Sequence, residues 1–147
     1  MPDTITFEEL ENKLKKRDKY LEIKKAYEYA LKEHAGMKRL TGDDFITHPL
    51  EVVKILLDLN VDDDTIIAAF LHEVINNGNK TYEDLEADFS QDIAKIVLSL
   101  TKINKLELPD NNESSVIYLR KILVGLAEDV RVLYIKLADR LHNMRTN

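Results

Sequence analysis

Cysteine and tryptophan are absent from this chain of 147 residues, and glycine (four) and proline (three) are scarce. Without cysteine there is no disulfide framework, no thiolate metal site and no cysteine nucleophile. Apolar runs are short: none approaches the roughly 20 residues that span a bilayer. Met1-Pro2-Asp3-Thr4 leads into an acidic, helix-like segment rather than an apolar signal sequence. The expectation is a cytoplasmic protein that makes no membrane contact. Positive charge is also in deficit, with 21 Lys and Arg against 27 Asp and Glu and a net charge of −6. That argues against a nucleic-acid partner, which needs a basic surface. A small anionic ligand remains compatible, because Lys38, Arg39, Lys102, Arg140 and Arg145 can set a local field of their own.

What is present is helical periodicity. With 44% hydrophobic residues the chain can bury a real core, and residues 1–147 read as a single all-α domain of about eight helices. Thr6 and Glu9 offer a capping box for a first helix to about Lys16. A second covers roughly Tyr20 to His34, stopped by Gly36, and Lys38 to Asp44 is a polar loop. Pro49 suits the first turn of a third helix, to about Leu59. Asp62, Asp63 and Asp64 supply the cap and first-turn charges of a fourth, to about Asn77. The apolar residues of this fourth helix go nearly all the way round, which marks a buried central helix. Thr81 with Asp84 caps a fifth to about Phe89. A sixth, to Lys102, turns Ile93, Ile96, Val97 and Leu100 inward. After a polar connection holding Pro109, two more run from about Ser114 to Ala127 and from Asp129 to Met144.

Set into these apolar stretches are candidate metal ligands: His48 in Ile46-Thr47-His48-Pro49, the pair His72-Glu73 in Phe70-Leu71-His72-Glu73-Val74-Ile75, and Asp139 in Leu137-Ala138-Asp139-Arg140. Burying such groups is costly unless they are paired, hydrogen-bonded or bound to a cation. Two imidazoles and two carboxylates suit a divalent transition metal, and an open-sited cation acidifies bound water. Each has a plainer reading. His48 can bond a helix start, His72 can satisfy itself on a backbone carbonyl while Glu73 reaches solvent, and Asp139 can pair with Arg140. On a continuous helix His72 and Asn76 would stack one turn apart, as would Glu73 and Asn77.

Residues 34–146 resemble the HD-domain hydrolase region of the RelA/SpoT-homologue family, whose members degrade guanosine penta- and tetraphosphate. The stretches that carry the resemblance are His34-Ala35-Gly36-Met37-Lys38-Arg39-Leu40-Thr41-Gly42, Phe45-Ile46-Thr47-His48-Pro49, Ile67-Ala68-Ala69-Phe70-Leu71-His72-Glu73-Val74-Ile75, Leu100-Thr101-Lys102, and the specific run Asp129 to Thr146 with Ala138-Asp139-Arg140-Leu141-His142-Asn143-Met144-Arg145. The resemblance implies an HD-domain helical bundle holding manganese, or another divalent metal, on His48, His72, Glu73 and Asp139. It implies removal of the 3′-pyrophosphate by metal-activated water. It also implies a guanine-nucleotide pocket in which Arg39 stacks on the base, Thr41 lines the wall and Asn143 contacts the nucleotide. Lys102 and Arg140 are candidate phosphate contacts. An attached or partner synthetase domain, or a homo-oligomer, fits the same family.

The departures fall on the chemistry. Glu73 stands where the family has Asp, moving the carboxylate outward by about one C–C bond where metal distances tolerate about ±0.2 Å. Asn76-Asn77 replaces a Glu-Asp pair that positions and deprotonates water, and Leu40 replaces a phosphate-directed Lys. An amide hydrogen-bonds but is no base. The expectation is therefore either a weakened hydrolase or a catalytically impaired domain that binds nucleotide or regulates a synthetase.

Overall fold

The computed structural model describes residues 5–39, 42–75, 79–104 and 130–146, with the backbone alone at 103, 104 and 146. Among the described residues there are seven helices and no strand. They are α1 (Phe7–Leu14), α2 (Tyr20–Glu33), α3 (Thr47–Leu57), α4 (Asp63–Leu71), α5 (Tyr82–Asp88), α6 (Gln91–Asn104) and α7 (Val130–Thr146). The expected helix over 114–127 lies outside the described residues. None of the seven is long and apolar enough to cross a membrane.

α4 is the axis of the bundle. Every residue from Thr65 to Leu71 is buried, as its all-round apolar sequence requires, and α2, α3, α6 and α7 pack against it. Asp62 caps its start by accepting from the Thr65 backbone N–H at 2.8 Å. Arg17 then fixes that end from the α1–α2 connection, bonding Asp63 Oδ1 and the Val61 carbonyl, each at 2.9 Å. An aromatic cluster joins three helices. Phe7 of α1 stacks on Tyr27 of α2 at 4.4 Å between centroids, and Tyr27 meets Phe70 of α4 edge-on at 5.8 Å. Phe70 is fully buried, so Phe70→Ala is expected to cost about 3–5 kcal/mol by lost transfer energy and cavity formation. Chemical denaturation measures this directly.

Thr81 and Asp84 form the expected capping box on α5. Thr6 does not form one: it stands at the N-cap of α1 without a side-chain bond, and the Glu9 amide bonds the Thr6 carbonyl instead. The second correction concerns α4, which stops at Leu71 rather than about Asn77. Residues 72–75 form a tighter turn, in which Val74 N bonds Leu71 O at 3.1 Å. His72 and Glu73 therefore sit on the turn leaving the helix.

Between α2 and α3 the chain doubles back through an isolated antiparallel bridge of Lys38 with Asp44. Gly36 and Gly42 take φ of 81° and 92°, values that disfavour a residue with a Cβ. This loop carries Arg39 toward α7.

Candidate metal centre

Three helices deliver the cluster. His48 is the second residue of α3, His72 and Glu73 leave the end of α4, and Asp139 lies mid-way along α7. α3 packs along α7 and both touch α4, so the ends converge. One ligand atom from each of His48, His72, Glu73 and Asp139 lies within 4.8 Å of the others. The structure thus brings together all four residues singled out from the sequence.

The hydrogen bonds around His72 decide how its ring is used. Its Nδ1 donates to the Ala69 carbonyl at 2.6 Å, so the backbone-satisfied reading holds for one nitrogen. That bond leaves Nε2 as the nitrogen turned to the carboxylates, bare in the neutral ring and open to a second proton or to a metal ion. His72 Nε2 has no hydrogen-bond partner although the residue is only 1% exposed. It lies 3.5 Å from Glu73 Oε1 and 3.5 Å from Asp139 Oδ1, at ion-pair distance but without hydrogen-bond geometry. A buried orphan of this kind costs about 1–3 kcal/mol unless something binds it. His48 Nε2 meets the same Asp139 Oδ1 at 2.5 Å, and Lys136 Nζ approaches Oδ2 at 3.5 Å. The alternative pairing of Asp139 with Arg140 gives way to this inward arrangement.

The electrostatics favour positive charge within the cluster. Burial opposes charge on His72, yet the Asp139 and Glu73 carboxylates outweigh it and its pKa is pushed up to about 10. Burial likewise works against ionised Asp139, but the two imidazoles hold it well below the usual carboxylate range. Glu73 is also lowered, its burial being overcome by His72 and His48. Both carboxylates are therefore ionised, and their field favours positive charge on the imidazole nitrogens. Two nitrogens and two carboxylate oxygens, one nitrogen orphaned, fit a divalent transition metal.

The nucleotide-side residues are placed unevenly. Arg39 Nη2 donates to Asn143 Oδ1 at 2.9 Å, which sets two of the expected nucleotide contacts side by side. Lys102 and Arg140 are exposed. Among the described residues no hydrogen bond or ion pair ties either to the cluster. Thr41, Asn76 and Asn77 lie outside the described residues.

Two histidines escaped the sequence reading as site residues. His142 is buried on α7, and its Nδ1 meets His48 Nδ1 at 2.7 Å and Arg39 Nη1 at 3.4 Å. The signal was available: His142 follows Asp139 by three positions, so both share one helix face. His34 is 3% exposed with neither ring nitrogen bonded, packed on Phe45 at 4.6 Å between centroids. A lone histidine at the end of a helix carries no sequence signal for such burial.

A model of the HD domain matches residues 26–147. The chain belongs to the HD-domain family. As a member, this HD domain is 46% identical over 124 residues to a Brucella ovis protein named GTP pyrophosphokinase rsh, covering 84% of this chain and 16% of that one. It is 40% identical over 129 residues to the Escherichia coli K12 bifunctional (p)ppGpp synthase/hydrolase SpoT, covering 88% of this chain and 18% of that one. The HD domain thus spans less than a fifth of the length of these relatives. Among solved structures it resembles a metazoan ortholog of SpoT, described as hydrolysing ppGpp, with a TM-score of 0.67, 26% identity and coverage of 84% of this chain and 68% of that one.

Proposed function

We propose that this HD domain is a divalent-metal site for guanosine tetra- and pentaphosphate that removes 3′-pyrophosphate slowly. The observation that carries it is the orphaned, buried Nε2 of His72, facing two carboxylates at 3.5 Å. His48, His72, Glu73 and Asp139 would hold the ion, and manganese suits the mixed imidazole and carboxylate set. When bound, such an ion supplies Lewis acidity toward a phosphoryl oxygen and acidifies water. Two relatives support the choice of nucleotide: SpoT is named as a (p)ppGpp synthase/hydrolase and the metazoan ortholog is described as hydrolysing ppGpp.

The chain's own residues divide the remaining work. Arg39, held beside Asn143, offers a planar cation for the guanine base or a phosphate. At positions 76 and 77 the chain has amides, which can hydrogen-bond to water but accept no proton at neutral pH. Turnover is consequently slow, while the loss of two negative charges favours an anionic ligand.

A second reading has a specific observation behind it: with Asn76-Asn77 in place of acids, the domain binds nucleotide without turnover and regulates an attached or partner synthetase. Both readings require the metal. Mn²⁺ at about 100 times its dissociation constant is expected to stabilise the protein by about 2.7 kcal/mol, an upward shift in Tm of roughly 5–10 °C for a chain of this size. His72→Ala abolishes the shift. A wild-type Tm indifferent to Mn²⁺, Zn²⁺ and Co²⁺ would rule out the metal centre.

A further inference from the structure

His142 belongs to no part of the reading above, yet it touches both halves of the site. It is 5% exposed, one turn after Asp139 on α7. Its Nδ1 lies 2.7 Å from His48 Nδ1. With centroids 5.0 Å apart and planes within 24°, the two rings lie edge to edge, the arrangement of an in-plane N–H···N bond. Two imidazole nitrogens at that distance share one proton, so one donates and one accepts. Arg39 settles which. A guanidinium only donates, and Arg39 Nη1 points at His142 Nδ1 from 3.4 Å. His142 Nδ1 is therefore the acceptor of this pair, and His48 Nδ1 the donor.

We propose that His142 is a positioning residue of the metal centre. By accepting from His48 Nδ1 it holds that ring with Nε2 turned to Asp139 Oδ1, 2.5 Å away. Nε2 is the nitrogen that a metal ion would take in place of the proton. The inference rests on the metal reading and adds its outer support: ligating imidazoles are held by an acceptor on the other nitrogen, and losing that acceptor typically weakens metal affinity by about 10–100-fold. The same nitrogen also takes the Arg39 contact, so the metal ligand and the nucleotide-facing arginine are anchored on one ring.

Titration of metal-stripped full-length chain with Mn²⁺, by calorimetry, tests this in two variants. His142→Leu removes the acceptor and is expected to weaken binding by about 10–100-fold. In His142→Asn the amide oxygen stands close to where Nδ1 stood, and affinity returns toward wild type. Leu and Asn variants that both bind as tightly as wild type would overturn the proposal. So would an Asn variant as weak as the Leu variant, since packing rather than the acceptor would then matter. Should His142→Leu not fold, ¹⁵N-histidine NMR of the Zn²⁺-loaded wild type decides. A proton on His48 Nδ1 supports the proposal, and a proton on Nε2 overturns it. A wild type that binds no divalent metal overturns the underlying reading, and this one with it, which separates the two failures.

Discussion

Asn76→Glu, Asn77→Asp is expected to accelerate metal-dependent hydrolysis of guanosine tetraphosphate by roughly 10²–10⁴-fold, the usual contribution of a positioned general acid–base group. Other candidate site groups already stand together among the described residues. The imidazoles and carboxylates converge to within 4.8 Å, and Arg39 is already set against Asn143. What the amides lack is a lone pair basic enough to take a proton from water. The same substitution adds two negative charges to a domain proposed to hold an anionic ligand, so nucleotide affinity should fall as the rate rises. Pyrophosphate release at saturating Mn²⁺, with the nucleotide dissociation constant measured alongside, reads both effects. A variant that binds metal and nucleotide but gains no rate would move the defect away from proton transfer, to the longer carboxylate at Glu73.

Asp139→Ala carries the other large effect, because this one carboxylate serves three partners. It bonds His48 at 2.5 Å, faces the orphaned His72 nitrogen at 3.5 Å and approaches Lys136 at 3.5 Å. Its side chain is only 7% exposed, so no water takes its place freely. If Asp139 is a ligand as proposed, removing it deletes a ligand oxygen, and the loss of metal affinity should exceed the roughly 100-fold upper range for an outer partner. In chelator-treated protein it also leaves buried imidazoles without their counter-charge. Breaking a buried pair in this way costs about 3–5 kcal/mol. Calorimetric titration with Mn²⁺ and urea denaturation in EDTA separate the two consequences. Retained Mn²⁺ affinity would exclude Asp139 as a ligand, even if stability fell.

The all-α bundle and the α5 capping box were legible in the sequence because each rests on local periodicity or cap chemistry. Ile93, Ile96, Val97 and Leu100 all turn inward on α6, as residues three and four apart must. The four-residue cluster was legible for a different reason: His48, His72, Glu73 and Asp139 interrupt apolar runs, and an interruption that folding tolerates is usually compensated. Sequence could not show where α4 ends. Residues 72–75 keep a helical apolar pattern through Val74 and Ile75, yet the helix ends at Leu71 and these residues form a turn. Thr6 misled because Ser or Thr three residues before Glu is a necessary but insufficient condition for a capping box. His142 was missed because its role is relational. Nothing in Leu141-His142-Asn143 announces that His48, 94 positions away, will donate to it.

Metal content, guanosine tetraphosphate binding and pyrophosphate release, determined together on one metal-replete sample, form the most direct measurement. The expected result is one divalent ion per chain, nucleotide binding that disappears in His72→Ala, and release that is slow in wild type. Two results would contradict it. A chain that takes up no divalent metal leaves the cluster a purely structural buried ion network. Release from the wild type as fast as from Asn76→Glu, Asn77→Asp would show that the acidic pair is dispensable here.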